Sequence, residues 1–221
     1  MNIAIDGPAG AGKSTVAKLV AEKLSFVYID TGAMYRSLTY AALQENVNIN
    51  DGALLSHLLS EKEIELKNGK QGTIVLLNGE DVTEEIRSAS ITANVSVVSQ
   101  HKEVRNDMVE RQRQLAKKGH AVLDGRDIGT YVLPHAELKV FLTATVEERA
   151  KRRYEELINK GEQVHFKQLI HDISKRDEMD SNREIAPLKK AIDAIELDTT
   201  SLTIDQVVNR ITDLAKERAG Q

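Results

Sequence analysis

The sequence predicts an α/β fold, a doubly wound parallel sheet of five strands with helices on both faces. Three observations carry the prediction: two short β-branched runs with three further strand-like runs, helical spacings between them, and a glycine-rich segment after the first run. Hydrophobicity along the first two runs is continuous rather than alternating, which suits strands buried on both faces of a parallel sheet.

The elements follow in order. Ile3-Ala4-Ile5-Asp6 reads as the first strand and Phe26-Val27-Tyr28-Ile29-Asp30 as the second. Between them Val16, Leu19, Val20, Lys23 and Leu24 keep a helical spacing, completing a βαβ unit. From about Ala53 to Gln100 the rhythm breaks. There Ile64-Glu65-Leu66 and Thr73-Ile74-Val75-Leu76-Leu77 flank Gly69 and Gly72, a hairpin pattern for an insertion with its own small sheet. Ala121-Val122-Leu123-Asp124, Leu138-Lys139-Val140-Phe141-Leu142 and Ala194-Ile195-Glu196-Leu197-Asp198 supply the remaining strands. Thr145 with Glu148, and Thr203 with Gln206, carry capping-box signals for helix starts. The last helix aligns Ile204, Val207, Val208, Ile211, Leu214 and Ala215 in one stripe. Arg149 to Asn182 is rich in both charge signs, which reads as a solvated helical pair or as a mobile lid.

Composition narrows the function classes. The 221 residues carry 30 Lys and Arg against 34 Asp and Glu, a formal charge of −4. No global cationic excess points to nucleic acid or a membrane surface, although a local cationic pocket is compatible with it. The absence of cysteine excludes disulfides, thiolate nucleophiles and Cys-ligated metals. The opening Asn2-Ile3-Ala4-Ile5-Asp6 has no basic region followed by a long apolar run, so the expectation is a cytoplasmic protein.

Chemistry enters with Gly7-Pro8-Ala9-Gly10-Ala11-Gly12-Lys13-Ser14, followed by Thr15. This G-x-x-x-x-G-K-[ST] pattern between strand and helix is a phosphate cradle. Glycines permit the tight backbone, N–H groups and the helix N-terminus face the anion, and Lys13 adds a full charge. Ser14 is the candidate Mg²⁺ ligand. The motif alone leaves kinase, GTPase and motor open, and no N-K-x-D base-recognition motif is present.

The acceptor is suggested by Arg36, Arg105, Arg126, Arg149, Arg152, Arg153, Arg176 and Arg183. A nucleoside monophosphate has a second pKa of about 6, so it is already a nucleophile near neutral pH. It needs neutralisation rather than a base, and arginines beside a phosphate loop supply that.

Three segments make a resemblance specific: Asp30-Thr31-Gly32-Ala33-Met34-Tyr35-Arg36, Asp124-Gly125-Arg126-Asp127-Ile128-Gly129-Thr130, and Arg176 to Arg183 followed by Ala186-Pro187-Leu188. With the cradle, they make the chain similar from end to end to the bacterial cytidylate ((d)CMP) kinase family, among the nucleoside monophosphate kinases. The resemblance implies a three-layer P-loop kinase fold with ATP and CMP or dCMP as substrates, and Mg²⁺ with the ATP. It implies a core of 1–35, 101–148 and 184–221, an inserted CMP-binding domain at 36–100, and a lid at 149–183.

It also implies roles. Arg36 binds the acceptor phosphate with Thr31 nearby, and Ser96, Arg105 and Asp127 read the base. Asp180 and Arg183 hold the sugar and acceptor phosphate, while Arg126 and Arg176 neutralise charge. Arg149, Arg152 and Arg153 are lid arginines closing on ATP, Arg153 foremost. Asp124, ending a strand near the cradle, suits support of the Mg²⁺ shell or contact with the acceptor. A salt-bridge network is the alternative for Arg126, Arg176, Asp180 and Arg183. Tyr35 and Tyr40 lie five apart on an expected helix, where packing is the default role. For Tyr35 the alternative is stacking on the acceptor base. The histidines fall into no metal-binding spacing. A monomer with no nucleic-acid or membrane partner is expected. The competing readings are another small-molecule kinase, such as an adenylate or shikimate kinase, and a slowly hydrolysing nucleotide switch.

Overall fold

The computed structural model describes residues 1–69 and 72–220. Along the chain run β1 (Asn2–Asp6), α1 (Lys13–Leu24), β2 (Val27–Asp30), α2 (Thr31–Gln44), α3 (Gly52–Ser60), β3 (Ile64–Gly69), β4 (Gly72–Leu77) and β5 (Glu80–Asp81). There follow α4 (Ala89–Gln100), α5 (Lys102–Ala116), β6 (Ala121–Gly125), β7 (Leu138–Thr143), α6 (Val146–Asn159), α7 (Phe166–Asn182), β8 (Ile195–Asp198) and α8 (Ile204–Ala219). Two tighter pieces, a 3-10 turn at Glu85–Arg87 and a π-helical turn at Ile128–Val132, were not legible in the hydrophobic pattern.

The five expected strands form one parallel sheet in the order β2-β6-β1-β7-β8, with helices on both faces. Register places Ile3 opposite Val122 and Leu138, and Ile5 opposite Asp124 and Val140. The carboxyl ends of β1 and β6 therefore lie side by side, with Asp6 opposite Gly125. In an open α/β sheet this edge is where ligands bind.

Contacts divide the chain into two compact units, Met1–Val27 with His120 onward, and Tyr28–Gly119. In the first, α1 packs against α8 and β6. Helix α8 has the full capping box at Thr203 and Gln206. Its buried stripe runs from Val207 to Ala215, but Ile204, its first residue, stays half exposed. Helix α6 keeps only half of its expected box. The Thr145 hydroxyl accepts from the Glu148 amide, while the Glu148 carboxylate is drawn off by Arg152 Nε at 3.0 Å.

In the second unit β3 and β4 pair as the expected hairpin, Ile64 opposite Leu77 and Leu66 opposite Val75. Asn78-Gly79, both at positive φ, then turns the chain into β5. The core of this unit is mainly helical. Met34, Leu38, Leu55, Leu59, Val95, Val98, Val104 and Met108 come from α2, α3, α4 and α5 and meet Val75, Val82 and Ile86. Because α2 and α5 share that cluster, the unit extends beyond 36–100 at both ends.

Asp6, a carboxylate at the end of an apolar strand, is buried and accepts from the amides of Ile128 at 2.8 Å and Gly129 at 2.7 Å. It thereby fixes the entry of the π-helical turn just after Asp127. Burial, opposed by those two amides, pushes its carboxyl from 3.8 up to about 7. Between those values the folded chain holds more protons than the unfolded one. The stabilisation is complete below about pH 4 and is lost as pH rises through about 7. Urea midpoints near pH 5 and near pH 8 should show wild type losing stability relative to Asp6→Asn as pH rises. A difference independent of pH would remove Asp6 as the titrating group.

Candidate active site

The cradle is built by backbone that only glycine tolerates at two points. At Gly7, φ is +150°, and an added Cβ would lie 2.2 Å from the Leu142 carbonyl oxygen. At Gly10, φ is +76°, and a Cβ would stand 3.2 Å from that of Arg149. The loop therefore nests directly against β7 and the first turn of α6.

Lys13 is buried at the start of α1, its Nζ donating to the Pro8 carbonyl at 2.8 Å. Burial, and next the positive charge of Arg126, push its ammonium well below the ordinary value; Arg176 acts the same way, while Asp124 opposes it. Cations are thus crowded beside a phosphate-shaped loop, an arrangement that an anion relieves. Ser14 Oγ donates to Asp124 Oδ2 at 2.8 Å. A hydroxyl and a carboxylate in contact are hard oxygen donors that fit Mg²⁺.

Around this corner stand the other polar residues of the first unit. Arg126 Nε meets Asp180 Oδ2 at 2.8 Å, and Arg183 Nη2 donates to Asp127 Oδ1 at 2.9 Å, the latter pair almost fully buried. Burial alone would raise the Asp180 carboxyl, but Arg126, then Arg176 and Arg183, hold it below the usual range. Burial likewise opposes the Arg126 cation, while Asp180, with Asp177 and Asp124, more than restores it.

The lid arginines of the sequence reading separate into two kinds. Arg149 donates to the carbonyls of Ala144 and Ala9 and to Asp177, and Arg152 donates to Glu148 and to both the hydroxyl and carbonyl of Thr199. Their donors meet internal acceptors rather than standing ready for a phosphate. Arg153 is 30% exposed and pairs only at the surface with Glu156, which leaves it accessible.

In the second unit, the N-terminus of α2 gathers Asp30, Thr31 and Arg36. Asp30 caps the helix by accepting from the Ala33 amide at 2.8 Å, and Arg36 Nη1 stands 3.9 Å from the same carboxylate. Thr31 is buried. Elsewhere in the unit Arg105, 1% exposed, donates to the Ser99 carbonyl at 3.1 Å, and its guanidinium lies 5.7 Å from the Tyr35 ring centroid. Tyr35 is thus a buried partner of an arginine, an arrangement beyond simple packing. Ser96 is buried one turn before Ser99 on α4. Tyr40 packs against the hydrophobic core. Among the described residues no group of three His, Cys, Asp or Glu could hold a metal, and no helix is long and apolar enough to cross a membrane.

Two residues of the first unit escaped the sequence reading. Asp6 carried a signal, a carboxylate closing an apolar strand. Asp177 lies inside the Arg176–Arg183 segment, three residues before Asp180 on the same helix face, and accepts from the Ala9 amide at 3.0 Å.

A family model described as cytidylate kinase matches residues 3–217. A cytidylate kinase from Halalkalibacterium halodurans is 62% identical over 99% of this chain and 98% of its own. One from Bacillus velezensis is 58% identical over the same shares. Among solved structures, an uncharacterized protein from Eubacterium ventriosum covers 98% of both chains with a TM-score of 0.53 at 14% identity, a likeness of fold alone.

Removing one partner of a buried ion pair leaves the other charge uncompensated, at a cost on the order of 3 kcal/mol. Asp180→Asn should lower stability at neutral pH by about that amount in urea denaturation. Since the Asp180 carboxyl is held below its usual range, the deficit against wild type should shrink as acid protonates the native group. A deficit that does not change with pH would mean the carboxylate's charge is not what stabilises the fold.

Proposed function

The chain belongs to the cytidylate kinase family, and from that premise we propose that it transfers the γ-phosphoryl of ATP to CMP or dCMP, giving ADP and CDP or dCDP. The observation that carries the reading is the crowding of cations at the cradle, where burial first, and then repulsion from Arg126 and Arg176, depress the Lys13 ammonium. Two polyanionic nucleotides relieve that repulsion; one neutral acceptor would not.

The cradle residues Gly7, Pro8, Ala9, Gly10, Ala11, Gly12, Lys13, Ser14 and Thr15 hold the ATP phosphates. Ser14, with Asp124 hydrogen-bonded to it, would hold Mg²⁺, which supplies neutralising charge to the β- and γ-phosphates. Arg126, Arg153, Arg176 and Arg183 offset the charge that the transferring group spreads over its oxygens. The acceptor phosphate needs no base, because its second pKa of about 6 leaves it a nucleophile. It attacks in line, without a covalent enzyme intermediate. Helices α6 and α7 serve as the lid that keeps water from the phosphoryl group.

Thr31, Tyr35, Arg36, Asp124, Arg126, Asp180 and Arg183 bind the acceptor's phosphate and sugar side, and Ser96, Arg105 and Asp127 read its base. Cytosine offers an amino donor at N4 beside acceptors at N3 and O2, so a carboxylate with Arg and Ser donors complements it. Arg183 orients the Asp127 carboxylate for that contact. Uracil would set its O4 acceptor against Asp127, and a buried polar group without a partner costs about 1–3 kcal/mol. The protein acts as a monomer in the cytoplasm, with neither nucleic acid nor membrane as partner.

The test is ADP release with CMP, dCMP, UMP and AMP as acceptors. CMP and dCMP should be turned over, and UMP disfavoured by roughly tenfold to a hundredfold. Asp127→Ala should lower kcat/KM for CMP by a similar factor and leave the KM for ATP nearly unchanged. No CDP from CMP defeats the reading; equal losses toward both substrates defeat the role of Asp127.

A further inference from the structure

Ala9 occupies the third position of the cradle, and both of its main-chain polar groups are held by side chains remote in sequence. Its amide donates to Asp177 Oδ1 at 3.0 Å, and its carbonyl accepts from Arg149 Nη1 at 2.7 Å. The same Arg149 nitrogen donates to Asp177 Oδ2 at 2.6 Å, which closes a ring of three charge-assisted bonds around one residue. Arg149 is itself fixed from behind, its Nε donating to the Ala144 carbonyl at 3.0 Å, and it is buried. Gly10 lets the Arg149 Cβ approach the loop, since a side chain there would meet it at 3.2 Å.

A loop with glycines at positions 7, 10 and 12, all at positive φ, has little intrinsic preference for one shape. Rotating either peptide plane at Ala9 would reorient the amides and carbonyls of the loop. Asp177 holds the N–H of the Pro8–Ala9 peptide and Arg149 the carbonyl of the Ala9–Gly10 peptide, so the pair pins both planes that meet at Ala9. The grip comes from α6 through Arg149 and from α7 through Asp177.

We propose that Asp177 and Arg149 are positioning residues for the ATP half of the reaction, pinning the two peptides that meet at Ala9 so that the cradle is shaped before nucleotide arrives. The inference rests on the reading of the cradle as an ATP site. It does not depend on the identity of the acceptor.

Calorimetric titration of ATP and, separately, of CMP into wild type, Asp177→Ala, Arg149→Met and the double variant tests it. Either single substitution should weaken ATP by about tenfold, the scale of one lost charge-assisted bond, with CMP affinity within about twofold. The double variant should be little worse than either alone, because the two residues are ion-paired and each holds the other in place. Asp177→Asn, close to isosteric and so retaining the fold, keeps an acceptor for the Ala9 amide and should recover part of the lost affinity. ATP affinity unchanged while the urea midpoint falls would reduce the pair to a structural brace and overturn the proposal. Tighter ATP binding in Asp177→Ala would overturn it too, making Asp177 a competitor for the amide. Losses that add in the double variant would separate the two residues and have the same effect. Because no acceptor turnover is read, a protein that binds ATP but fails to phosphorylate CMP would defeat the acceptor reading and leave this comparison decisive.

Discussion

The corner of the first unit that holds the cradle is built around a buried cation, Lys13. Lys13 is buried, and burial alone disfavours its charge; Arg126 and Arg176 deepen that penalty. The carboxylates that answer them are few and specific: Asp124 on Ser14, Asp180 on Arg126, Asp127 on Arg183, Asp177 on Arg149. Each meets a named partner in a defined geometry, so none is a diffuse counter-ion. A site of this kind holds its cations in place before the ligand comes, and so reorganises little when phosphate arrives.

That constraint explains features that would otherwise look like ordinary packing. Asp6 receives two consecutive amides and so sets the backbone that carries Asp127, and with it the Arg183 pair. Gly7 allows the cradle to lie against the Leu142 carbonyl, and Gly10 allows Arg149 to lie against the cradle. The parallel register of β1 with β6 then brings Asp124 and Arg126 to the edge where the cradle begins. Sheet topology, glycine placement and charge placement are one solution to the same electrostatic demand.

Much of this was legible in the sequence, for identifiable reasons. Buried parallel strands advertise themselves through continuous apolar runs; β8 was read as a strand too, although its residues alternate and none is fully buried. The cradle was readable because close approach of backbone to phosphate restricts residue types at fixed spacing. The helices α3 and α4 were hidden by an expectation of sheet, since the Ile64–Leu66 and Thr73–Leu77 runs dominate their surroundings. Asn78-Gly79 is a hairpin signal that the reading passed over, and β5 went unread with it. Arginines were harder. A guanidinium that braces a loop and one that awaits a phosphate have the same spacing on a helix, so Arg149 and Arg152 could not be told from Arg153 without their partners. Asp177 was obscure for the same reason, because one of its partners is a main-chain amide, which leaves no mark in composition.

Helix α7 links the two halves of the chemistry. Within its last two turns and the residue that follows, Asp177 holds the Ala9 peptide, Asp180 holds Arg126, and Arg183 holds Asp127. These residues are three apart, close to the 3.6-residue turn, so they follow one face of the helix before the chain leaves it at Arg183. A shift along the axis by even one residue, about 1.5 Å, would stretch all three contacts together. The phosphate cradle, the arginine beside it and the carboxylate assigned to the base are therefore not adjusted independently. Whatever fixes α7 fixes them as a set, and under the proposed function this is how one helix couples the donor site to recognition of the acceptor.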